Sequence, residues 1–321
     1  MASDANQKGP EPMHVFVTGA TGHIGAAVVT ELLEAGHQVT GLARSDNSAA
    51  ALKGKGVNAH RGDLLDLDGL RAAAAAADGV IHLAYRHDFD SDFVAAAETD
   101  LRAVEAMGEV LAGSDRPFVN TSGTLLLALV AQGRIATEND TAEGGPRIDS
   151  ENATIALAER GVRSSVIRLS PLVHSTLDHH GFAHRLIDIA REKGVSAFVG
   201  DGSNRWPGVH TLDAAHLYRL ALEAAPAGTR LHGVADEGVP FRDIAAVIGR
   251  HLEVPVVSIS PEAAGEHFGF LSAFAAFDNP TSSALTQKLL DWDPEHPGLI
   301  EDLEEGHYFS ESRKTSQAGL A

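Results

Sequence analysis

Short uncharged runs alternate with stretches of helical spacing along the first half of this chain. Val15-Phe16-Val17 carries no charge and reads as a strand covered on both faces. It gives way at Gly19 to Ile24, Ala26, Ala27, Val28, Leu32 and Leu33, which recur at helical intervals until Gly36 closes the helix. Gln38 to Ala43 reads as a second strand, followed by a polar loop, Arg44-Ser45-Asp46-Asn47. Val57 to His60 gives a third strand, and Leu64 to Ala77 contains an alanine-rich helix from Leu70 onward. Val80 to Ala84 is a fourth strand, Phe93 to Leu111 a long helix, and Phe118 to Thr121 a fifth strand. Glu151 to Arg160 reads as helix and Ser165 to Leu169 as a sixth strand. Strand and helix recurring about every 25 residues mean stacked βαβ units, hence an α/β fold with a Rossmann-type, doubly wound parallel sheet.

Beyond Pro171 the rhythm loosens. Helices are legible at Ala183 to Lys193 and Asp213 to Ala224, among loops richer in proline. The reading is a dinucleotide-binding unit over 13–173, with 207–235 contributing, and a smaller C-terminal substrate lobe from 174–206 and 236–309. Residues 1–12 and 310–321 are polar and read as a disordered leader and tail.

Composition narrows the chemistry. The 321 residues include no cysteine, which excludes disulfide scaffolds, thiol nucleophiles and Cys-ligated metals. A net charge of −19 without a basic patch argues against a nucleic-acid partner. No apolar run approaches the roughly 20 residues that cross a bilayer, and no signal core is present, so no membrane partner and a cytoplasmic location are expected.

The candidate chemistry starts at Thr18-Gly19-Ala20-Thr21-Gly22-His23-Ile24-Gly25, between the first strand and first helix. Gly19 suits a tight turn, Gly22 a close approach to a pyrophosphate, and Gly25 close packing of helix on strand. Free amides and the positive end of the helix dipole then face the phosphates. At the end of the second strand, where an acid would hold a ribose 2′-hydroxyl, stand Arg44 and Ser45. A guanidinium there suits a 2′-phosphate, so NADP(H) is expected over NAD(H); Asp46, one or two positions late, leaves NAD(H) admissible.

With these residues in place the chain resembles the short-chain dehydrogenase/reductase superfamily, in its extended or atypical branch. The likeness is carried by Thr18 to Gly25, Gly62-Asp63-Leu64, Val80 to Ala84, Val119 to Gly123, Arg168 to Val173 and Trp206 to Asp213. The resemblance implies Asp63 and Leu64 at the adenine, Leu83, Ala84 and Tyr85 along the riboses, Thr121 beside them, and Pro171, Leu172 and Val173 near the nicotinamide. Ser122 matches the family's catalytic serine. One signature is missing: the family's Tyr-x-x-x-Lys aligns with Arg147-Ile148-Asp149-Ser150-Glu151, and no Tyr-x-x-x-Lys occurs anywhere in the chain.

The catalytic candidates are therefore Ser122, Arg147, Glu151 and Tyr85. Arg147 cannot donate a useful proton but can steady an oxyanion, with Glu151 at i+4 as its expected ion-pair partner; an ordinary surface pair is the alternative. Tyr85 is either the proton donor or an aromatic wall. Asp178, His179, His180 and His184 read as loop or pocket-rim residues rather than metal ligands, and no metal site is assigned. His210 and Asp213 read as a structural tie. Asp100 belongs to either a solvated face or an interface, and the acidic run from Glu301 to Glu305 reads as a solvated helix face. Three functions fit: an NADP(H)-dependent reductase or dehydrogenase of a small carbonyl or alcohol, a dinucleotide-sensing regulator resembling the NmrA-like branch, or an epimerase, dehydratase or isomerase with retained cofactor. The chain reads as monomer or homodimer.

Overall fold

The computed structural model describes residues 11–86 and 93–310. Residues 1–10 of the expected leader and 311–321 of the tail lie outside the described residues. The strands are β1 (His14–Thr18), β2 (Gln38–Ala43), β3 (Asn58–Arg61), β4 (Gly79–His82), β5 (Pro117–Gly123), β6 (Arg163–Leu169), β7 (Leu172–His174), β8 (Ser196–Val199), β9 (Arg205–His210), β10 (Thr229–Gly233), β11 (Asp236–Pro240) and β12 (Val256–Ile259). Seven of them form one sheet in the order β10-β6-β5-β4-β1-β2-β3, every pair parallel. Winding reverses between β1 and β4, and the crevice at their carboxyl ends is where such sheets bind ligands.

Both faces of the sheet are covered, which is why its strands carry so little charge. Val15, Val17, Ile81 and Val119 point to one side, against helices His23–Glu34 and Thr211–Ala224. Phe16, Val80 and Phe118 point to the other, against helices Leu67–Ala75 and Phe93–Leu111. A separate core built on Leu172, Leu186, Trp206, Phe241, Phe268 and Leu299 organises much of the C-terminal part. There β9 lies between β11 and β7, and β8 pairs with β12. The chain's last described stretch is tied back through Asp213, whose carboxylate accepts the Glu295 and His296 amides and His296 Nδ1–H. Among the described residues no helix is long and apolar enough to cross a membrane.

Several elements differ from the sequence reading. The polar loop at 44–47 is in fact the start of a helix, Asp46–Gly54, with Ser45 and Ser48 forming a reciprocal capping box. Only Leu52 of that helix is buried, so it has almost no apolar stripe to betray it. The alanine-rich helix begins at Leu67, capped by Asp66, and the helix expected from Glu151 runs Ile148–Ala156 before tightening to a 3-10 turn. The seventh strand, β10, was hidden because Thr229-Arg230-Leu231-His232-Gly233 mixes charge with apolar positions.

Gly25 tests the loop-to-helix junction most directly. A Cβ there would fall 2.0 Å from the Gly19 carbonyl oxygen, a backbone atom with nowhere to go. Gly25→Ala is expected to cost about 1–3 kcal/mol, read as a lower urea midpoint, with a parallel loss of dinucleotide affinity in calorimetry. An unchanged midpoint would show that the helix is free to lift from β1.

Candidate cofactor site and active site

At the end of β1 the backbone turns through Gly19, at φ 69°, and a side chain there would meet the Ala84 amide at 2.8 Å. The Gly22 amide bonds the Gly19 carbonyl at 2.9 Å, and Gly22 caps the helix with no side chain. The first-turn amides are thus left uncapped beside exposed Thr21, in a turn so tight that a Cβ at 19 or 25 would strike backbone. These features fit a dinucleotide diphosphate. Ile24 packs on the core, and the His23 ring turns away, with Nε2 2.7 Å from Thr211 Oγ1 and Nδ1 3.7 Å from Asp178 Oδ1. Leu83 and Ala84 follow β4, their amides both donating to Thr18 Oγ1 at 3.1 Å.

At the far end of the crevice Arg44 is exposed at the tip of β2. Ala43 is in register with Arg61 on β3, and Arg61 pairs with Asp46 at 3.1 Å. The one acid near Arg44 in sequence is therefore answered by a second guanidinium. Ser45 Oγ is engaged as a helix cap, accepting the Ser48 amide at 3.2 Å. Asp63 Oδ1 accepts the Leu65 and Asp66 amides, which fixes the turn that buries Leu64. Leu172 points into the C-terminal core, while Pro171 and Val173 stay partly exposed.

The candidate catalytic residues divide. Arg147 and Tyr85 come together: the guanidinium lies 4.0 Å over the Tyr85 ring and donates to the Thr121 carbonyl at 2.9 Å. Arg147 caps the helix Ile148–Ala156 with φ at 69°, a conformation costly for any side-chain-bearing residue. Burial pushes the Tyr85 phenol above its ordinary range, and the Arg147 charge and hydrogen bond pull it partway back. Thr121 Oγ1 is committed to the His82 carbonyl and Tyr218, each at 2.7 Å. Ser122 is buried beside Glu151, and its hydroxyl helps to keep that carboxylate ionised.

Glu151 does not pair with Arg147. The left-handed cap swings the Arg147 side chain out of the helical i,i+4 path, toward the end of β5. Glu151 instead faces β6 and β10, bound by Arg168 at 2.5 and 3.0 Å and by Arg230 at 2.8 Å. Burial pushes its carboxyl up, but the two guanidinium groups outweigh that and hold it below the ordinary range. It is a buried structural anion, not a surface partner.

Two further expectations are corrected. Asp100 is neither solvated nor at an interface: it is 1% exposed, bonded to His82 Nε2 at 3.2 Å and Ser150 Oγ at 2.6 Å, with Arg147 Nη1 at 3.7 Å. Its only sequence signal was an acid at 100 on the helix face of Ala96, Ala97, Ala103, Val104 and Met107. Asp302, in the acidic run, is also buried, where it meets His174 at 2.9 Å and His307 at 3.3 Å. Asp178 is buried too, accepting the His180 and Gly181 amides and the Tyr308 hydroxyl. His184 donates Nε2–H to the Asp178 carbonyl at 2.8 Å, and its ring tilts against Tyr308. His210, Asp213 and His296 bring ligand-type atoms within 4.8 Å of one another. The two imidazoles stack 6° from parallel, so their in-plane lone pairs do not converge, and Asp213 is already taken up by three donors.

The sheet order, the bare glycine turn and the paired Tyr85 and Arg147 define a dinucleotide-binding α/β protein with a polar crevice at the switch point. The family model described as NAD dependent epimerase/dehydratase matches residues 15–145. An uncharacterised protein of Schizosaccharomyces pombe is 49% identical over 299 residues, covering 92% of this chain and 100% of that protein. A sterol-4-alpha-carboxylate 3-dehydrogenase, decarboxylating, of Dictyostelium discoideum is 26% identical over 246 residues, 71% of this chain and 73% of that one. Among solved structures, a dTDP-glucose 4,6-dehydratase of Bacillus anthracis in complex with NAD superposes with a TM-score of 0.70 at 14% identity, over 92% of this chain and 95% of that one. The chain belongs to the NAD-dependent epimerase/dehydratase family, in the extended, atypical branch of the short-chain dehydrogenase/reductase superfamily. It is an NAD(P)-dependent enzyme.

Acid should loosen this structure through its neutral histidines. Burial, first of all, lowers His210 and His232 to about 4 from an ordinary 6.5. Between those values the unfolded chain binds more protons than the folded one. Stability is therefore full above pH 6.5 and is lost as pH falls toward 4. The urea midpoint should drop across that window, and His232→Gln should flatten the slope; a pH-independent midpoint would contradict the assignment.

Proposed function

We propose that this enzyme is an NADP(H)-dependent oxidoreductase of the carbonyl reductase or alcohol dehydrogenase type, working on a small carbonyl or alcohol without Tyr-x-x-x-Lys. The observation that carries the reading is the guanidinium of Arg147 over the ring of Tyr85, beside the carboxyl end of β5. It couples a phenol to a fixed cation, as a Tyr-x-x-x-Lys pair does, but draws the phenol from the end of β4 and the cation from a helix cap.

The bound nicotinamide supplies or accepts the hydride. The chain's own residues handle the oxygen. Ser122, which matches the family's catalytic serine, offers a hydrogen bond to the carbonyl oxygen and orients it. Tyr85, protonated at neutral pH as a phenol is, gives its proton to that oxygen as negative charge develops. Arg147 steadies the phenolate that remains. In the oxidative direction Tyr85 takes the alcohol proton back. Glu151 stays outside this chemistry, neutralising Arg168 and Arg230 beneath the site.

NADP(H) preference is supported by Arg44 just past the end of β2 and Arg61 at the end of β3, with Asp46 held by Arg61. Arg44→Ala should weaken NADPH binding by about 10- to 100-fold, the loss of a charge-assisted contact, and leave NADH binding nearly unchanged. Equal affinities for the two cofactors in the parent protein would overturn the preference.

Turnover is tested by following NADPH absorbance with a panel of ketones and aldehydes. Arg147→Ala should lower kcat by about 100-fold with cofactor affinity little changed, and Tyr85→Phe should lower it at least as far. Product formed without net cofactor consumption would instead favour an epimerase or dehydratase. Tight NADPH binding with no product would favour a dinucleotide-sensing regulator.

A further inference from the structure

We propose that Asp100 is the positioning residue of this site: it holds Arg147 over Tyr85 and joins that placement to the cofactor loop through His82 and Thr18. The inference rests on the Tyr85–Arg147 pairing of the proposed function and adds the group that fixes it.

The connection can be followed atom by atom. Thr18 Oγ1 accepts the amides of Leu83 and Ala84, so its own proton goes to His82 Nδ1, 2.7 Å away. The other imidazole nitrogen, Nε2, then carries the hydrogen and donates it to Asp100 Oδ1 at 3.2 Å. Asp100 Oδ2 accepts Ser150 Oγ–H at 2.6 Å and faces Arg147 Nη1 at 3.7 Å. The donors run from the backbone beside the glycine turn, through Thr18 and His82, to one carboxylate, and the Ser150 hydroxyl and the Arg147 guanidinium face that same carboxylate from the other side. Leu83 and Ala84, which flank the crevice, and Arg147, which closes it, therefore share a single anchor.

Stability alone does not account for that carboxylate. Asp100 lies on the otherwise apolar face of helix Phe93–Leu111, and a buried ion pair contributes little net stability compared with an apolar residue of similar size. Burial opposes its charge, yet His82, Arg147 and Ser150 keep it ionised below the ordinary range. A negative charge at this depth does one thing a leucine would not: it fixes the direction of a guanidinium whose backbone is already strained at φ 69°.

Three tyrosines occur in the chain, and burial lifts Tyr218 and Tyr308 far above the ordinary range, so Tyr85 is the phenol that ionises first as pH rises. Its titration by tyrosinate absorbance, with Tyr85→Phe as the blank, reads the site without any substrate. In an Arg147→Gln background, Asp100→Asn removes only a negative charge and should lower the Tyr85 pKa. In the parent background the same change also frees Arg147, whose loss raises the pKa, so the downward shift should shrink or reverse. The two shifts should differ by about half a unit or more, as expected for groups in contact. Equal shifts in both backgrounds would overturn the proposal. If Asp100→Asn does not fold, Ser150→Ala, which strips the 2.6 Å bond from the same carboxylate, runs the identical cycle. Coupling without reduction of any carbonyl would sink the reductase reading and leave the positioning role standing.

Discussion

The rest of this molecule depends on how closely one helix can approach the end of one strand. With no side chain at 19 or 25, helix His23–Glu34 starts in van der Waals contact with the Gly19 carbonyl, and the turn itself sits against the backbone of Ala84. That closeness brings three things to one place: the uncapped amides of the first turn, the Thr18 hydroxyl, and the residues that leave β4 toward Tyr85. A methyl group at 25 would push the helix off the turn, and one at 19 would push the turn off Ala84, separating them either way. Steric exclusion at two positions, rather than any single strong bond, sets where a cofactor can lie and how the polar network around it is strung.

Around that junction the family's usual division of labour has been rearranged. A carboxylate stands where the signature lysine would be, and it serves Arg168 and Arg230 under the sheet edge instead of the crevice. An arginine stands where the tyrosine would be, and it leans on a tyrosine from the segment after β4. A phenol and a cation still meet at the crevice, drawn from other elements than those the signature uses. Such an exchange costs the fold little because both side chains still enter at the carboxyl ends of adjacent strands, where loop residues can reach the same point from several directions.

Much of the fold was legible in the sequence, because the sheet is buried on both faces and its strands must be short and uncharged. Val15 to Val17, Gln38 to Ala43 and the helix Phe93–Leu111 could be read almost to the residue. The helix Asp46–Gly54 could not, since one buried leucine makes no periodic stripe, and β10 was masked by Arg230 and His232, whose polar ends are satisfied inside by Glu151 and Ser282. The tight turn between β1 and its helix was legible from its glycines. Asp100, His82 and Arg168 were not, because their roles arise from pairings across 17 or more residues. A helical wheel shows Asp100 only as an acid on the wrong side.

The cap at Arg147 sets two demands against each other. A left-handed turn at that point favours glycine, and an arginine there carries backbone strain of about 1–3 kcal/mol. The guanidinium's contacts with Asp100, Tyr85 and the Thr121 carbonyl hold it in place despite that strain. Relaxing the turn would remove the strain and the cation in one step, so robustness and reactivity compete at a single residue, and a directed search for heat tolerance that ignored chemistry would be drawn to the substitution that empties the crevice of its charge.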